Sequence, residues 1–186
     1  MSIALVLIDI QNDYFPGGRM ELVNSLEAAG AAARLLACFR AASWPVYHIR
    51  HIAARPTATF FLPGTTGSDI HPLVAPFSDE AVISKHYPHS FRETDLLASL
   101  KAAGVDQVLI CGMMTSMCVD ATVRAAFDLG FTCTVAKDAC ATRDLTLDGE
   151  TVAARQVQAA FLAALGAVYA EIRSTDAILD GIAARA

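Results

Sequence analysis

Three side chains that together could break an amide bond lie far apart in this sequence, and each stands at the end of a predicted strand. Asp9 follows the first strand, Lys85 follows the third, and Cys118 follows the turn after the fourth. Strands of a parallel sheet all end at one edge, so these side chains can meet there. A carboxylate can accept a thiol proton, an ammonium can stabilise the thiolate, and the sulfur can attack a carbonyl carbon. The set therefore predicts acyl transfer by a cysteine.

Each residue also has an ordinary structural interpretation. Cys118 could be one more small buried apolar residue, as most free cysteines are. Asp9 could cap a turn, and Lys85 could be an exposed lysine. The turn at residues 112–117 favours the catalytic interpretation of Cys118, because amides at a helix N-terminus can lower a thiol pKa and hold an oxyanion. The coincidence of the three at strand ends favours a joint function.

Apolar periodicity alternates between strand and helix along the chain. Strands are predicted at residues 3–8, 44–51, 81–84, 105–111, 131–136 and 168–172. Helices are predicted at residues 24–42, 92–104, 118–129, 147–165 and 175–184. Residues 52–78 are rich in proline and glycine without periodicity, which indicates a functional surface loop. Alternation with long crossovers predicts an α/β fold of three layers with parallel strands.

Length and composition limit the possible classes of protein. A chain of 186 residues suits a single domain spanning residues 1–186. No apolar run is long enough to span a membrane, and Asp9 interrupts the apolar start, so no signal peptide is expected and the predicted location is cytoplasmic. The net charge of −5 argues against a nucleic-acid partner. Five cysteines without paired C-x-x-C spacing predict neither a disulfide framework nor a zinc ribbon. The 54% hydrophobic content suggests an oligomer interface.

Several sequence segments resemble those of a known protein family. LVLIDIQNDYF surrounds Asp9, VISKHYPHSFRETDLLASLKAAGVDQVLICG begins just before Lys85, and GMMTSMCVDATVRAAFDLGF contains Cys118. These segments, with LPGTTGSDIHP at residues 62–72 and KDACAT at residues 137–142, resemble the isochorismatase-like cysteine hydrolase superfamily. That superfamily includes nicotinamidases and N-carbamoylsarcosine amidohydrolases. The resemblance runs from about residue 3 to residue 168, and several motifs in the same order make it specific.

The resemblance implies an αβα sandwich with a six-stranded parallel sheet and a triad that falls on Asp9, Lys85 and Cys118. It also implies a non-proline cis peptide bond between Met113 and Met114. The backbone amides of Met114 and Cys118 would then form an oxyanion hole. A homodimer or homotetramer is the expected assembly.

This chain departs from some relatives at positions that affect the chemistry. Isochorismatases proper, which cleave a vinyl ether, have no cysteine where Cys118 stands, so the resemblance favours C–N cleavage through a thioester. Nicotinamidases carry an Asp-x-His metal-binding segment, whereas the second strand here ends in His-Ile-Arg-His at residues 48–51. Asp69 and His71 are too few for a stable metal site, so no metal is predicted and His71 is expected to be structural or interfacial.

Aromatic and histidine side chains next to the triad could line a substrate pocket, although plain packing is the alternative for each. They are Tyr14, Phe15, His86, His89 and Phe91.

The first hypothesis is therefore a cofactor-free cysteine hydrolase acting on a small amide or carbamoyl compound. One alternative is a non-catalytic protein that binds small molecules on the same scaffold. Another is a redox-active thiol protein, with Cys111 or Cys140 as the resolving cysteine.

Overall fold

Six parallel strands form the central sheet of the computed structural model, which describes residues 2–184. Met1, Arg185 and Ala186, at the ends of the predicted domain, lie outside the described residues. The strands of this sheet are β1 (Ile3–Ile8), β2 (Val46–His51), β3 (Ala81–Lys85), β4 (Gln107–Met113), β5 (Thr132–Ala141) and β8 (Glu171–Arg173). A separate antiparallel hairpin contains β6 (Leu145–Leu147) and β7 (Glu150–Val152). The order in the sheet is β3-β2-β1-β4-β5-β8, so β1 and β4 are central.

Helices cover the sheet and make the predicted three-layer αβα sandwich. They are α1 (Ser25–Ala41), α2 (Leu96–Ala102), α3 (Asp120–Asp128), α4 (Ala154–Val168) and α5 (Thr175–Ala183). Helix α1 packs with α5, and α3 packs with α4. The strand order changes direction after β3. Right-handed crossovers therefore place α1 and α5 on one face of the sheet and α3 and α4 on the opposite face. Among residues 2–184, no helix is long and apolar enough to cross a membrane.

Strand β1 is buried along nearly its whole length, as its continuous aliphatic sequence predicts for a central parallel strand. It pairs in parallel with β2 on one side and β4 on the other. At its end it meets Gly112, which pairs with Ile8 and has a φ of +131°. A Cβ at Gly112 would overlap the carbonyl oxygen of Ile8. Only glycine therefore allows the two strands to approach this closely just before the site.

Three predicted elements have boundaries that differ from those in the structure. The helix predicted at residues 147–165 starts at Ala154, since the segment before it turns at Asp148 and Gly149, both with positive φ, and forms the β6–β7 hairpin. The helix predicted at residues 92–104 is shorter: α2 has only seven residues. Strand β5 ends at Ala141, five residues later than predicted, after a register shift against β4.

The helix predicted to start at Cys118 also differs. Residues Thr115–Val119 form a π-helical turn, and α3 starts only at Asp120. The carbonyl of Met114 accepts hydrogen bonds from the amides of Met117 and Val119, which bends the chain immediately after β4. π-Helical turns frequently occur at functional sites. Cys118 lies inside this turn.

Candidate active site

The ammonium of Lys85 lies at the centre of a buried polar cluster at the carboxyl edge of the sheet. Its Nζ is 2.6 Å from Oδ2 of Asp9 and 3.2 Å from Sγ of Cys118. Two further contacts reach Nδ1 of His51 at 3.2 Å and the carbonyl oxygen of Tyr87 at 3.1 Å. The structure thus brings together the three residues that the sequence singles out, and adds His51 as a fourth.

Four elements deliver these side chains to one point. Asp9 follows β1 directly, with a φ of +50°. Lys85 and His51 end β3 and β2 and are register partners across that strand pair. Cys118 comes from the π-helical turn after β4. The shared edge of a parallel sheet explains how residues so distant in sequence come together.

Asp9 is a buried carboxylate with an unusual shortage of donors. Its side chain and that of Lys85 are both 0% exposed. Although the two form an ion pair by distance, neither oxygen of Asp9 has a well-aligned hydrogen-bond donor among residues 2–184. A buried carboxylate normally accepts several hydrogen bonds. The free acceptor capacity here suits a group that must take a proton.

The thiol of Cys118 is neutral at rest. Burial raises its pKa, the Asp9 carboxylate raises it further, and Lys85 opposes both only in part. The expectation that a helix N-terminus would lower the pKa of Cys118 is therefore not met, because the thiol is buried in a π-helical turn beside a carboxylate. For Lys85, burial lowers the pKa, but Asp9 and Cys118 outweigh it and the pKa is raised. Lys85 is therefore a permanent cation beside a neutral thiol.

His51 is a residue that the sequence interpretation missed. Burial, with the nearby Lys85 ammonium, outweighs the opposing effect of Asp9 and lowers the pKa of His51 to about 4. The sequence carried a signal for it, since His51 is the last residue of β2 and the rule that strand ends meet applies to it as well.

A pocket of about 300 Å³ opens above the cluster and exposes Cys118 to it. Tyr14 and His86 line this pocket. Burial, with Cys118 and Asp9, raises the pKa of Tyr14 well above its ordinary value, so its hydroxyl stays protonated. Residues 53–61, apart from Pro56, also line the pocket and are called the pocket wall below.

Three predicted pocket residues are absent from its lining. Phe15 stacks on the His71 ring, with centroids 3.7 Å apart. Phe91 stacks on Phe131, with centroids 6.2 Å apart. Both side chains fill packing positions, which sequence proximity to the triad could not distinguish from pocket positions. His89 is also absent from the pocket lining.

Polar side chains after β1 hold the pocket wall in place, and the sequence interpretation did not find them. The Asp13 carboxylate accepts a hydrogen bond from the Phe61 amide at 2.6 Å. Gly67 packs so closely on that carboxylate that a Cβ there would overlap it. Gln11 bonds to the backbone of His51 on both its N–H and C=O sides. The loop after β1 thus fixes both the wall and the end of β2.

The peptide bond between Met113 and Met114 is cis. Met114 lines the pocket together with Met117 and Cys118. The backbone predicted to form an oxyanion hole is therefore next to the thiol.

Among residues 2–184, one group of three donor atoms is compact enough for a metal: Asp9, His51 and Cys118, with ligand atoms within 4.8 Å of one another. The ammonium of Lys85 contacts all three. These residues therefore surround the Lys85 ammonium, and they do not fit a metal ion in addition to it. His71 accepts a hydrogen bond from the Leu73 amide through Nδ1, which uses the ring for a local turn.

A family model described as the isochorismatase domain matches residues 3–172. The chain belongs to the isochorismatase family. An uncharacterized isochorismatase family protein of Bacillus subtilis, YddQ, is 49% identical over 179 residues, which is 96% of this chain and 99% of that protein. The crystal structure of an assumed isochorismatase hydrolase from Oleispira antarctica superimposes with a TM-score of 0.92 at 49% identity, covering 96% of each chain.

A more distant relative has a named activity. Nicotinamidase 3 of Arabidopsis thaliana is 30% identical over 151 residues, covering 75% of this chain and 73% of that protein. This chain is thus an isochorismatase-family hydrolase, with relatives that act on amides.

Proposed function

We propose that this isochorismatase-family protein is a cysteine hydrolase that cleaves the C–N bond of a small amide or carbamoyl compound through a thioester. The observation that supports this most directly is the position of Lys85 Nζ, 2.6 Å from Asp9 and 3.2 Å from Cys118 at the base of a pocket. Base, cation and nucleophile are then within reach of one substrate carbon.

In the first half of the reaction, Asp9 accepts the thiol proton as Sγ of Cys118 attacks the carbonyl carbon. Lys85 stabilises the negative charge on sulfur, and the amides of Met114 and Cys118 hold the oxyanion. The tetrahedral intermediate collapses when the C–N bond breaks. The protonated Asp9 returns its proton to the leaving nitrogen, which departs as ammonia or an amine and leaves a thioester.

In the second half, water replaces the departed amine. Asp9 accepts a proton from the water molecule as the water oxygen attacks the thioester carbon. The C–S bond then breaks, the thiolate regains the proton, and the acid product leaves. For a carbamoyl substrate, this product is a carbamic acid. Because burial and Asp9 raise the pKa of Cys118, the thiolate forms only while the proton moves to Asp9.

The test is a screen of small amides, ureas and carbamoyl compounds for ammonia release. Wild type is compared with Cys118→Ala and Cys118→Ser, and with Cys38→Ala, whose thiol lies in α1 outside the pocket lining. We expect both Cys118 variants to lose at least about a thousandfold in kcat, because the nucleophile is gone. Cys38→Ala should match wild type. Full activity of Cys118→Ala would refute the proposal.

The same variants separate the alternatives. A non-catalytic binding protein would release no ammonia from any compound, and Asp9→Asn would leave its ligand affinity unchanged. A redox protein would need a second reactive thiol. Burial raises the pKa of both Cys111 and Cys140, to about 12 for Cys140, which disfavours them as thiolates. Mass spectrometry after mild peroxide treatment would detect a disulfide involving Cys118.

A further inference from the structure

His51 is held at the edge of the pocket by its backbone. The amide of His51 donates to Oε1 of Gln11 at 2.7 Å, and Nε2 of Gln11 donates to the His51 carbonyl at 2.9 Å. Gln11 is itself fully buried. The His51 imidazole therefore projects from a fixed point of the sheet edge into the pocket lining.

The contact with Lys85 decides which ring nitrogen bears the proton. Nδ1 of His51 lies 3.2 Å from Nζ of Lys85. An ammonium can only donate, so Nδ1 must accept, and a neutral imidazole then bears its hydrogen on Nε2. Burial and the cation of Lys85 lower the pKa of His51 to about 4, which keeps the ring neutral near pH 7.

The Nε2–H group of His51 has no hydrogen-bond partner in the part of the chain that the structure describes. The charged or titratable groups around the ring are Lys85, Asp9, Cys118, His86 and Arg55. His86 has already committed Nδ1–H to the carbonyl of Ile52 at 2.8 Å.

The pocket lining is rich in donors and poor in negative charge. It contains no aspartate or glutamate, and Arg55 is its permanently charged side chain. Arg55 forms no side-chain ion pair or hydrogen bond with any described residue. Beneath the pocket, the charge of Asp9 is balanced by Lys85. A bound molecule therefore meets unpaired donors from His51 and Arg55 with no anion to repel it.

We propose that His51 is a substrate-binding residue whose Nε2–H donates to an acceptor atom of the substrate, and that Arg55 selects substrates in which a carboxylate accompanies the amide. The inference rests on the proposed function, because it assigns the class of compound that the same site hydrolyses: a small amide bearing an anionic group.

Binding is measured first without turnover, in Cys118→Ala, by calorimetric titration with two matched pairs of compounds. Malonamate and succinamate each carry one carboxylate, whereas malonamide and succinamide carry an amide in its place. We expect the acids to bind at least about tenfold more tightly than the diamides, the effect of one charge-assisted hydrogen bond. Adding Arg55→Met should remove this preference, whereas Arg34→Met, at an exposed ion pair with Asp176, should retain it.

Two amide variants then separate the two ring nitrogens of His51 in the active enzyme. Asn can place an acceptor near Nδ1, and Gln can place a donor near Nε2. His51→Asn should raise KM for malonamate about tenfold with little change in kcat. His51→Gln should lower kcat more than it raises KM, because Lys85 loses an acceptor. If His51 had a purely structural role, the two variants would change KM and kcat in the same way, and these opposite effects would not appear.

The outcomes distinguish this inference from the proposed function. Equal affinity for acids and diamides, no binding of either, or an unchanged KM in His51→Asn would overturn the inference. If wild type hydrolyses neutral amides but none of the acids, the hydrolase stands and the inference fails. If the acids bind with the expected pattern and no compound is hydrolysed, the binding assignment stands and the proposed function fails.

Discussion

The buried pair of Asp9 and Lys85 predicts that Asp9→Asn lowers the free energy of unfolding in wild type but raises it when Lys85 is absent. Both side chains are 0% exposed, and their charged atoms are 2.6 Å apart. Removing one partner of a buried pair leaves an uncompensated charge and typically costs about 3–5 kcal/mol. Lys85→Met should therefore lower the free energy of unfolding by about that amount. Met fills a similar volume, so a cavity contributes little.

Asp9→Asn is the second half of the test. The φ of +50° at position 9 favours Asn over an apolar replacement, because Asn tolerates the left-handed region. In wild type, Asp9→Asn should be destabilising, since it leaves the buried ammonium without its anion. In Lys85→Met, the same change removes an unpaired buried charge and should restore about 2 kcal/mol, the difference between burying a charge and burying an amide.

Urea unfolding followed by the fluorescence of Trp44, whose ring packs on Phe39, measures all four proteins. Circular dichroism provides an independent signal, and coincident transitions justify the two-state treatment. Loss of activity is expected in every variant and is not the readout. If Asp9→Asn lowers stability equally in both backgrounds, the pair is not energetically coupled and this reasoning is refuted.

Two further predictions concern histidine titration and the pocket wall. Because the pKa of folded His51 is about 4, below its ordinary value of 6.5, its contribution to stability is present above about pH 6.5 and is lost as pH falls toward 4. Between pH 7 and 5 this loss is at most about 2 kcal/mol before solvent screening, so urea titrations should show a smaller loss in His51→Asn. Asp13→Ala should cost about 2–4 kcal/mol and raise KM, because the Phe61 amide loses its acceptor. The exposed Asp79→Ala should change neither, and an unchanged KM in Asp13→Ala would show that the wall does not depend on this carboxylate.

The sequence was sufficient where one physical rule acts on many residues. Continuous apolar runs located the central strands, and the common edge of a parallel sheet brought Asp9, Lys85 and Cys118 together. The sequence was insufficient where the local geometry of one segment determines the structure or the protonation of a side chain. The π-helical turn around Cys118 and the neutrality of its thiol depend on burial and neighbouring charge. The directions of Phe15 and Phe91 depend on rings distant in sequence, so pocket and packing positions had the same local pattern.

The missing side chain at Gly112 has a consequence for variation at this position. A library randomised at codon 112 should return glycine alone among functional clones, because even alanine would push β4 off the Ile8 carbonyl. That displacement would be passed along two residues to Met114, whose amide holds the oxyanion in the proposed mechanism. A hydrogen atom in place of a methyl group thus sets how far the nucleophile's turn stands from the neighbouring strand.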